Sequence, residues 1–146
     1  LIKRATYDCL DDKYTRGDTL RLFSKFTSLT PKQINNIYHR GNRVGEKTQY
    51  RYSGKTALRF LADEVVDQLE TDLMSRHLEF VPIQYRDQKD RSSGKMRRIG
   101  IQDVYQQICD YIAVYALEDI FRRFGEYQCA SIKGRGQSYG IKAIKK

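Results

Sequence analysis

The sequence predicts an α+β fold in which one antiparallel β-hairpin lies between two groups of helices. Leucine and valine recur at steps of three and four over about residues 54–77, which is the spacing of one buried helix face. Residues 79–101 instead read as two short strands around a polar turn that contains glycine. Helical spacing returns after Asp103. These three observations define a helical N-terminal part, a hairpin and a second helical part.

The N-terminal part contains two more predicted helices. Apolar and aromatic residues at broken helical spacing indicate a helix over residues 5–27, and Gly17 is a candidate point of interruption. Thr30 followed by Pro31 is typical of a helix start, because the hydroxyl can cap free N–H groups and proline suits the first helical position. Gly41 is predicted to end that helix.

The hairpin and the helices after it follow from shorter patterns. The first strand is predicted over residues 79–86, and Pro82 favours a sheet edge because proline donates no backbone hydrogen bond. DQKDRSSG is the predicted turn, and KMRRIGI is the returning strand. Asp103 can cap the next helix, and a last helix is predicted from Gln137. The helix after Asp103 is predicted to bury Val104, Ile108, Tyr111, Ile112, Tyr115 and Ile120.

The charge of the chain is positive and unevenly distributed. There are 27 Lys and Arg against 18 Asp and Glu, a formal net charge of +9, which is compatible with a polyanionic partner and also with a merely solvated basic surface. The predicted hairpin holds six cations and two anions, Asp87 and Asp90, in the segment from Arg86 to Arg98. These cations are Arg86, Lys89, Arg91, Lys95, Arg97 and Arg98.

Strand alternation predicts how these cations are arranged. Lys95 and Arg97 are expected to share a face of the returning strand, while Arg98 points away. Lys89 or Arg91 could approach that face from across the hairpin. Converging cations would suit a triphosphate or a nucleic-acid backbone, since arginine offers a planar two-donor fork and lysine a point charge. The alternative is a solvated edge hairpin without a ligand.

Several other chemistries have little support. Two histidines, no Cys-x-x-Cys motif and three widely spaced cysteines (Cys9, Cys109, Cys129) argue against a structural zinc site and a disulfide framework. The cysteine usage favours a reducing, cytoplasmic compartment. No apolar run approaches the about 18–20 residues of a membrane span.

Two short motifs resemble active sites but are not predicted to be active sites. The Gly-Lys-Thr motif at residues 54–56 lacks the earlier glycine of a phosphate-binding loop, because Gln49 occupies that position. Asp11 and Asp12 are adjacent and diverge by about 100° on a helix, so a solvated helix face is expected rather than a metal site.

An ordered set of motifs follows the turn of the hairpin. The set consists of RRIGI at residues 97–101, a helix rich in glutamine and isoleucine at residues 104–115, LEDIF at residues 117–121 and KGRG at residues 133–136. Over about residues 79–146, this order resembles the fingers region of bacterial reverse transcriptases of the group II intron and retron-like type. Residues 1–78 resemble the family only loosely, as a helical N-terminal extension.

The resemblance implies a role for each group of cations. Arg97 would contact the triphosphate of the incoming nucleotide, and Lys89 or Arg91 would assist it. Glycine near the template would permit close approach, and arginine would bind phosphate there. The implied template and backbone contacts are Lys95, Arg98, Lys133, Gly134, Arg135 and Gly136.

The resemblance also implies an enzyme whose catalytic residues lie outside this chain. In that family, an aspartate on a later strand and a Tyr-x-Asp-Asp turn hold two Mg²⁺ ions, and the motif order places both after Lys146. We therefore expect part of a longer RNA-directed DNA polymerase, with no catalytic or metal-binding residue in these 146 positions. The implied partners are an RNA template, an RNA/DNA hybrid and a deoxynucleoside triphosphate, without a membrane, and a homo-oligomer stays open. Alone, the chain is expected to bind nucleic acid weakly and to polymerise nothing.

Two other functions are compatible with the sequence. A stand-alone RNA-binding module would use the hairpin together with residues 40–55, a predicted loop in which Tyr50 and Tyr52 lie among five cations and one anion. A helical interaction protein would carry its charge incidentally. Its behaviour with RNA would then not depend on salt, unlike that of a protein with true phosphate contacts.

Overall fold

The computed structural model describes residues 1–40, 42–43, 51–52, 54–121, 123–125, 128 and 135–144. The chain divides into two compact units, Leu1–Ile112 and Ala113–Lys146. The described part contains helices and antiparallel strands, which confirms the predicted α+β class. The helices are α1 (Ile2–Leu10), α2 (Gly17–Phe26), α3 (Pro31–Arg40), α4 (Arg59–Met74), α5 (Val104–Ala116), α6 (Glu118–Phe121) and α7 (Gln137–Ile144). The strands are β1 (Asn42–Arg43), β2 (Arg51–Tyr52), β3 (Gln84–Lys89) and β4 (Met96–Ile101).

The predicted helix over residues 5–27 is divided into α1 and α2. After α1, Asp12 has a φ of 59°, and this left-handed backbone cannot continue a right-handed helix. Asp11 and Asp12 therefore lie in the connection after α1, and the expectation that they belong to a helix face is wrong. Gly17 is the first residue of α2, so the interruption occurs just before the glycine that indicated it.

The start of α3 confirms the predicted cap. The N–H of Gln33 donates to Thr30 Oγ1 at 3.3 Å, and the N–H of Thr30 donates to Gln33 Oε1 at 2.8 Å, so the two residues cap each other. Farther along, β1 and β2 pair antiparallel, so the ends of the predicted 40–55 loop form a short ladder. Gly41 and residues 44–50, which include Tyr50, lie outside the described residues.

The core of the first unit forms where α4 packs with the N-terminal helices. Residues Gly54–Thr56 form a 3₁₀ turn, and Arg76 has a φ of 56°, so α4 is shorter at both ends than the predicted 54–77 helix. The leucine and valine positions that predicted the helix are buried on one side of it. The largest fully buried apolar residues of the unit are Phe23, Leu10, Ile34, Leu58, Leu61, Leu69, Ile108, Val65 and Val104.

The first turns of α5 complete this core. Asp103 Oδ1 accepts a hydrogen bond from the N–H of Gln106 at 2.8 Å, which confirms the predicted cap. Val104 and Ile108 then join the buried cluster. Residues on both sides of position 78 therefore share one core. The packing therefore does not follow the predicted boundary at residue 78 between an N-terminal extension and a fingers region. That boundary stays a prediction, which rests on the resemblance to a family.

The buried face of α5 differs from the predicted one. Tyr105 is buried, although the helical spacing does not predict it. Its hydroxyl donates a hydrogen bond to the carboxylate of Asp72, so the polar end of the side chain has a partner in the protein in place of water. Tyr111 and Ile120 are exposed, so the predicted burial is wrong at these two positions. Ile120 lies beyond the end of α5, on the short helix α6, where the spacing of α5 no longer applies.

The hairpin starts later and extends farther than predicted. β3 begins only after Pro82 and runs to Lys89, which leaves Asp90–Lys95 as the turn. Gly94 has a φ of 69° in that turn, a conformation that glycine adopts without strain. The register of β3 and β4 runs from Gln84↔Ile101 to Lys89↔Met96. All residues of both strands are exposed, so the hairpin extends from the core with both faces open.

Candidate functional site

The register divides the hairpin side chains between two faces. Residues directly opposite each other in an antiparallel pair share a face, and successive residues of a strand alternate. We call one side the Arg97 face; it carries Gln84, Arg86, Gln88, Arg97, Ile99 and Ile101. We call the other side the Tyr85 face; it carries Tyr85, Asp87, Lys89, Met96, Arg98 and Gly100.

Two arginines are neighbours on the Arg97 face. Arg86 lies opposite Ile99, and Arg97 lies opposite Gln88, so the arginines are diagonal neighbours, about 7–8 Å apart in backbone position. Among the residues that the structure describes, no carboxylate forms an ion pair with Arg86. This face therefore presents two guanidinium groups to solvent, a spacing that suits two oxygens or two phosphates of one ligand.

Asp90 holds Arg97 at the turn. Its two carboxylate oxygens have separate partners: Oδ1 accepts from the N–H and the Oγ–H of Ser92 at 2.9 and 2.7 Å, whereas Oδ2 lies 2.8 Å from Arg97 Nη2. The Ser92 hydroxyl and N–H hydrogen bonds, with others from Ser93, lower the pKa of Asp90 to about 2. Asp90 is therefore ionised at neutral pH, and the Arg97 side chain stays 65% exposed beside it.

The structure separates Lys89 from Arg97. Because β3 continues to Lys89, strand alternation puts this lysine opposite Met96 on the Tyr85 face, whereas we expected it to approach Arg97 across the hairpin. Arg91 and Lys95 are exposed residues of the turn, next to the Asp90 that contacts Arg97. The cation that shares a face with Arg97 is Arg86, to which the sequence had given no role.

Asp90→Asn is expected to raise the affinity of the Arg97 face for a phosphate anion. The remaining Oδ1 can still accept from Ser92, while the amide that replaces Oδ2 no longer pairs with Arg97. An exposed ion pair is weak, so we expect an increase of about two- to fivefold. NMR titration with inorganic tripolyphosphate measures it. Asp87→Asn is the matched control, since it removes the same charge from the other face; an equal rise in both variants would contradict a specific role of Asp90.

The Tyr85 face combines an aromatic ring with a cation. The Arg98 guanidinium lies 4.7 Å from the centroid of the Tyr85 ring, and Gly100 lies opposite Tyr85. A Cβ at Gly100 would approach Tyr85 Cε1 to 3.3 Å and Ile83 Cγ2 to 3.0 Å. The glycine therefore provides the space in which the ring packs against the backbone of β4.

The connector before α7 contributes a partly structural arginine. Arg135 Nη1 donates to the carbonyl oxygens of Gly125 at 2.7 Å and Phe124 at 3.3 Å. Gly136 lies at the start of α7, where its carbonyl accepts from the N–H groups of Tyr139 and Gly140. Lys133 and Gly134 lie outside the described residues. A template contact of this segment stays a prediction, and the remaining donors of the guanidinium are the groups that could make it.

The Gly-Lys-Thr motif has a structural role. Lys55 Nζ lies 2.6 Å from Asp11 Oδ1, and this pair connects the end of α1 to the turn before α4. The hydrogen bond from Lys55 lowers the pKa of the Asp11 carboxyl. Lys55 therefore has a protein partner in the place where a phosphate-binding lysine would face its ligand.

The described residues provide no group of three or more His, Cys, Asp or Glu side chains that could hold a metal ion. Within the same residues, no helix is both long and apolar enough to cross a membrane.

Comparison with profiles of protein families found no match for this chain, and comparisons with curated proteins and with solved structures found no significant match. The candidate site therefore rests on the hairpin geometry and on the motif order of the sequence.

Proposed function

We propose that this chain is the helical extension and fingers region of a longer RNA-directed DNA polymerase, in which the hairpin binds the phosphates of the incoming nucleotide and of the RNA template. The observation that carries the proposal is the pair Arg86 and Arg97 on one open face of an exposed hairpin. In this proposal, Arg97 keeps the triphosphate role that the resemblance implies. Arg86 takes the assisting role for which Lys89 or Arg91 was expected.

The support of the hairpin agrees with such a role. β4 is followed after two residues by α5, whose first turns are fixed in the core by Val104, Tyr105 and Ile108. The C-terminal end of β4 is thereby anchored, while the turn with Asp90, and Arg97 just after the turn, lie farthest along the hairpin from that anchor. A rigid base with a projecting cationic end can bring phosphate-binding groups to a ligand held elsewhere in a larger protein.

A stand-alone RNA-binding module is the second candidate. It is favoured by the presence of cations on both hairpin faces, with Arg86 and Arg97 on one side and Lys89 and Arg98 on the other. A nucleic-acid backbone can use both sets without a catalytic domain.

The continuation of the reading frame distinguishes the two. A hydrophobic strand with an aspartate, followed by Tyr-x-Asp-Asp, is expected beyond codon 146 of a polymerase. A stop codon, or a continuation without paired aspartates, would contradict the polymerase and leave the binding module.

The purified chain is expected to bind single-stranded RNA with strong salt dependence and to incorporate no nucleotide. About three phosphate contacts would give a slope near −2 for the logarithm of affinity against the logarithm of salt concentration. Fluorescence anisotropy with a labelled oligouridylate measures it. Binding without salt dependence would favour the helical interaction protein, and template-dependent incorporation would contradict the placement of the catalytic residues outside this chain.

A further inference from the structure

The Tyr85 face has a feature that phosphate binding alone does not require. Tyr85 is 58% exposed and belongs to neither the buried core nor the side chains packed against it. The Arg98 guanidinium lies 4.7 Å from the centroid of its ring, and the side of the ring that carries Cδ1 and Cε1 lies next to Gly100. The protein thus presents an exposed aromatic ring to solvent beside a cation of the same face.

Arg98 contacts the ring and not the carboxylate that lies opposite it. Asp87 lies directly opposite Arg98 in the register, yet no ion pair joins the two among the described contacts, and the guanidinium lies over Tyr85 instead. A stacked guanidinium keeps the N–H donors at its rim, so it can hold a ring and bind a phosphate together. Lys89 adds a second cation to the same face.

We propose that the Tyr85 face binds an unpaired base of single-stranded RNA, with Tyr85 stacking on the base while Arg98 and Lys89 contact phosphates of the strand on the turn side of that base. The inference deepens the proposed function: it rests on nucleic-acid binding by the hairpin and holds for the polymerase and for the binding module. It adds Tyr85 as a binding residue and gives the two faces different ligand chemistry.

The chemistry favours a single strand over a duplex. The bases of a duplex are stacked on one another and present only their edges, whereas an unpaired base offers its π-face to an aromatic side chain. Stacking on tyrosine tolerates any base, so this face should bind without strong sequence preference. Arg98 and Lys89 both lie on the turn side of Tyr85 and are diagonal neighbours, about 7–8 Å apart in backbone position. A strand that leaves the stacked base toward the turn would pass both cations with its phosphates.

Abasic ligands separate stacking from phosphate contact. One oligouridylate of about ten nucleotides and one of the same length with abasic sites present similar phosphates but differ in their bases. Tyr85→Ala is expected to weaken binding of the normal oligonucleotide by about five- to tenfold and binding of the abasic one by less than about twofold. Tyr85→Phe, which keeps the ring, should bind like the natural chain. Met96→Ala removes an exposed apolar side chain from the same face and is the matched control.

The possible outcomes have distinct meanings. If Tyr85→Ala weakens both oligonucleotides equally, or neither, while Arg97→Ala and Arg98→Ala weaken both, the hairpin binds RNA and the stacking role is wrong. If neither the tyrosine nor the arginine substitutions change RNA affinity, the proposed nucleic-acid binding of the hairpin is itself wrong. Circular dichroism of each variant checks that the exposed substitutions leave the helical core folded.

Discussion

Ile108→Ala is expected to lower the free energy of unfolding by about 2–5 kcal/mol. The side chain is completely buried and belongs to the cluster that joins α5 to the N-terminal helices. Its truncation removes apolar contact and leaves a cavity that the surrounding helices can only partly fill. Urea unfolding followed by circular dichroism measures the change.

Val114→Ala is the matched control for this prediction. Val114 lies on the same helix but is exposed, so its loss should change the unfolding free energy by less than about 0.5 kcal/mol. Similar small effects of both substitutions would contradict the packing of α5 into the core. They would support instead an N-terminal helical part that folds independently of the residues after position 78.

Arg86→Ala and Arg97→Ala are each expected to reduce the affinity for inorganic tripolyphosphate by about tenfold or more. A hydrogen bond to a charged group contributes about 1.5–3 kcal/mol, and each guanidinium can donate at least one to this ligand. Lys89→Ala should change the affinity by less than about twofold, because the register places Lys89 on the other face. Isothermal titration calorimetry or NMR titration of the three variants measures the difference.

Each of the three variants removes one cation from an exposed strand, so the variants differ only in the position of the lost charge. A uniform loss of affinity would therefore indicate a general effect of charge and would contradict a specific site on the Arg97 face. A loss of affinity with Lys89→Ala and Arg97→Ala but not with Arg86→Ala would restore the pairing of Lys89 with Arg97 that we expected from the sequence. The double variant Arg86→Ala/Arg97→Ala should lose less than the sum of the single changes if both arginines contact the same ligand.

The parts of the fold that local chemistry determines could be predicted from the sequence. The cap formed by Thr30 and Gln33, the Asp103 cap of α5 and the returning strand at Met96–Ile101 each depend on a few neighbouring residues. The α+β class followed from the change between helical and strand patterns along the chain.

The arrangement of the site needed information from distant residues or from side-chain geometry. The hydrogen bonds of Asp90 with Ser92 form the turn. The turn is therefore shorter than the DQKDRSSG segment that the sequence predicts, and its first residues belong to β3. The extra strand residues put Lys89 and Arg97 on opposite faces. With the correct strand bounds, simple alternation would have placed Arg86 on the same face as Arg97, and Tyr85 on the same face as Arg98. The burial of Tyr105 depends on Asp72, a long-range contact that periodicity does not indicate.

The open hairpin also separates folding from recognition. None of its strand residues belongs to the buried core, and the core draws on helices on both sides of it in the sequence. Opening of the strands therefore breaks few apolar contacts, and such elements exchange locally while the rest of a domain stays folded. Substitutions on these strands can consequently change which ligand is preferred at little cost to the helical scaffold. In evolution, this surface can diverge faster than the helices that support it.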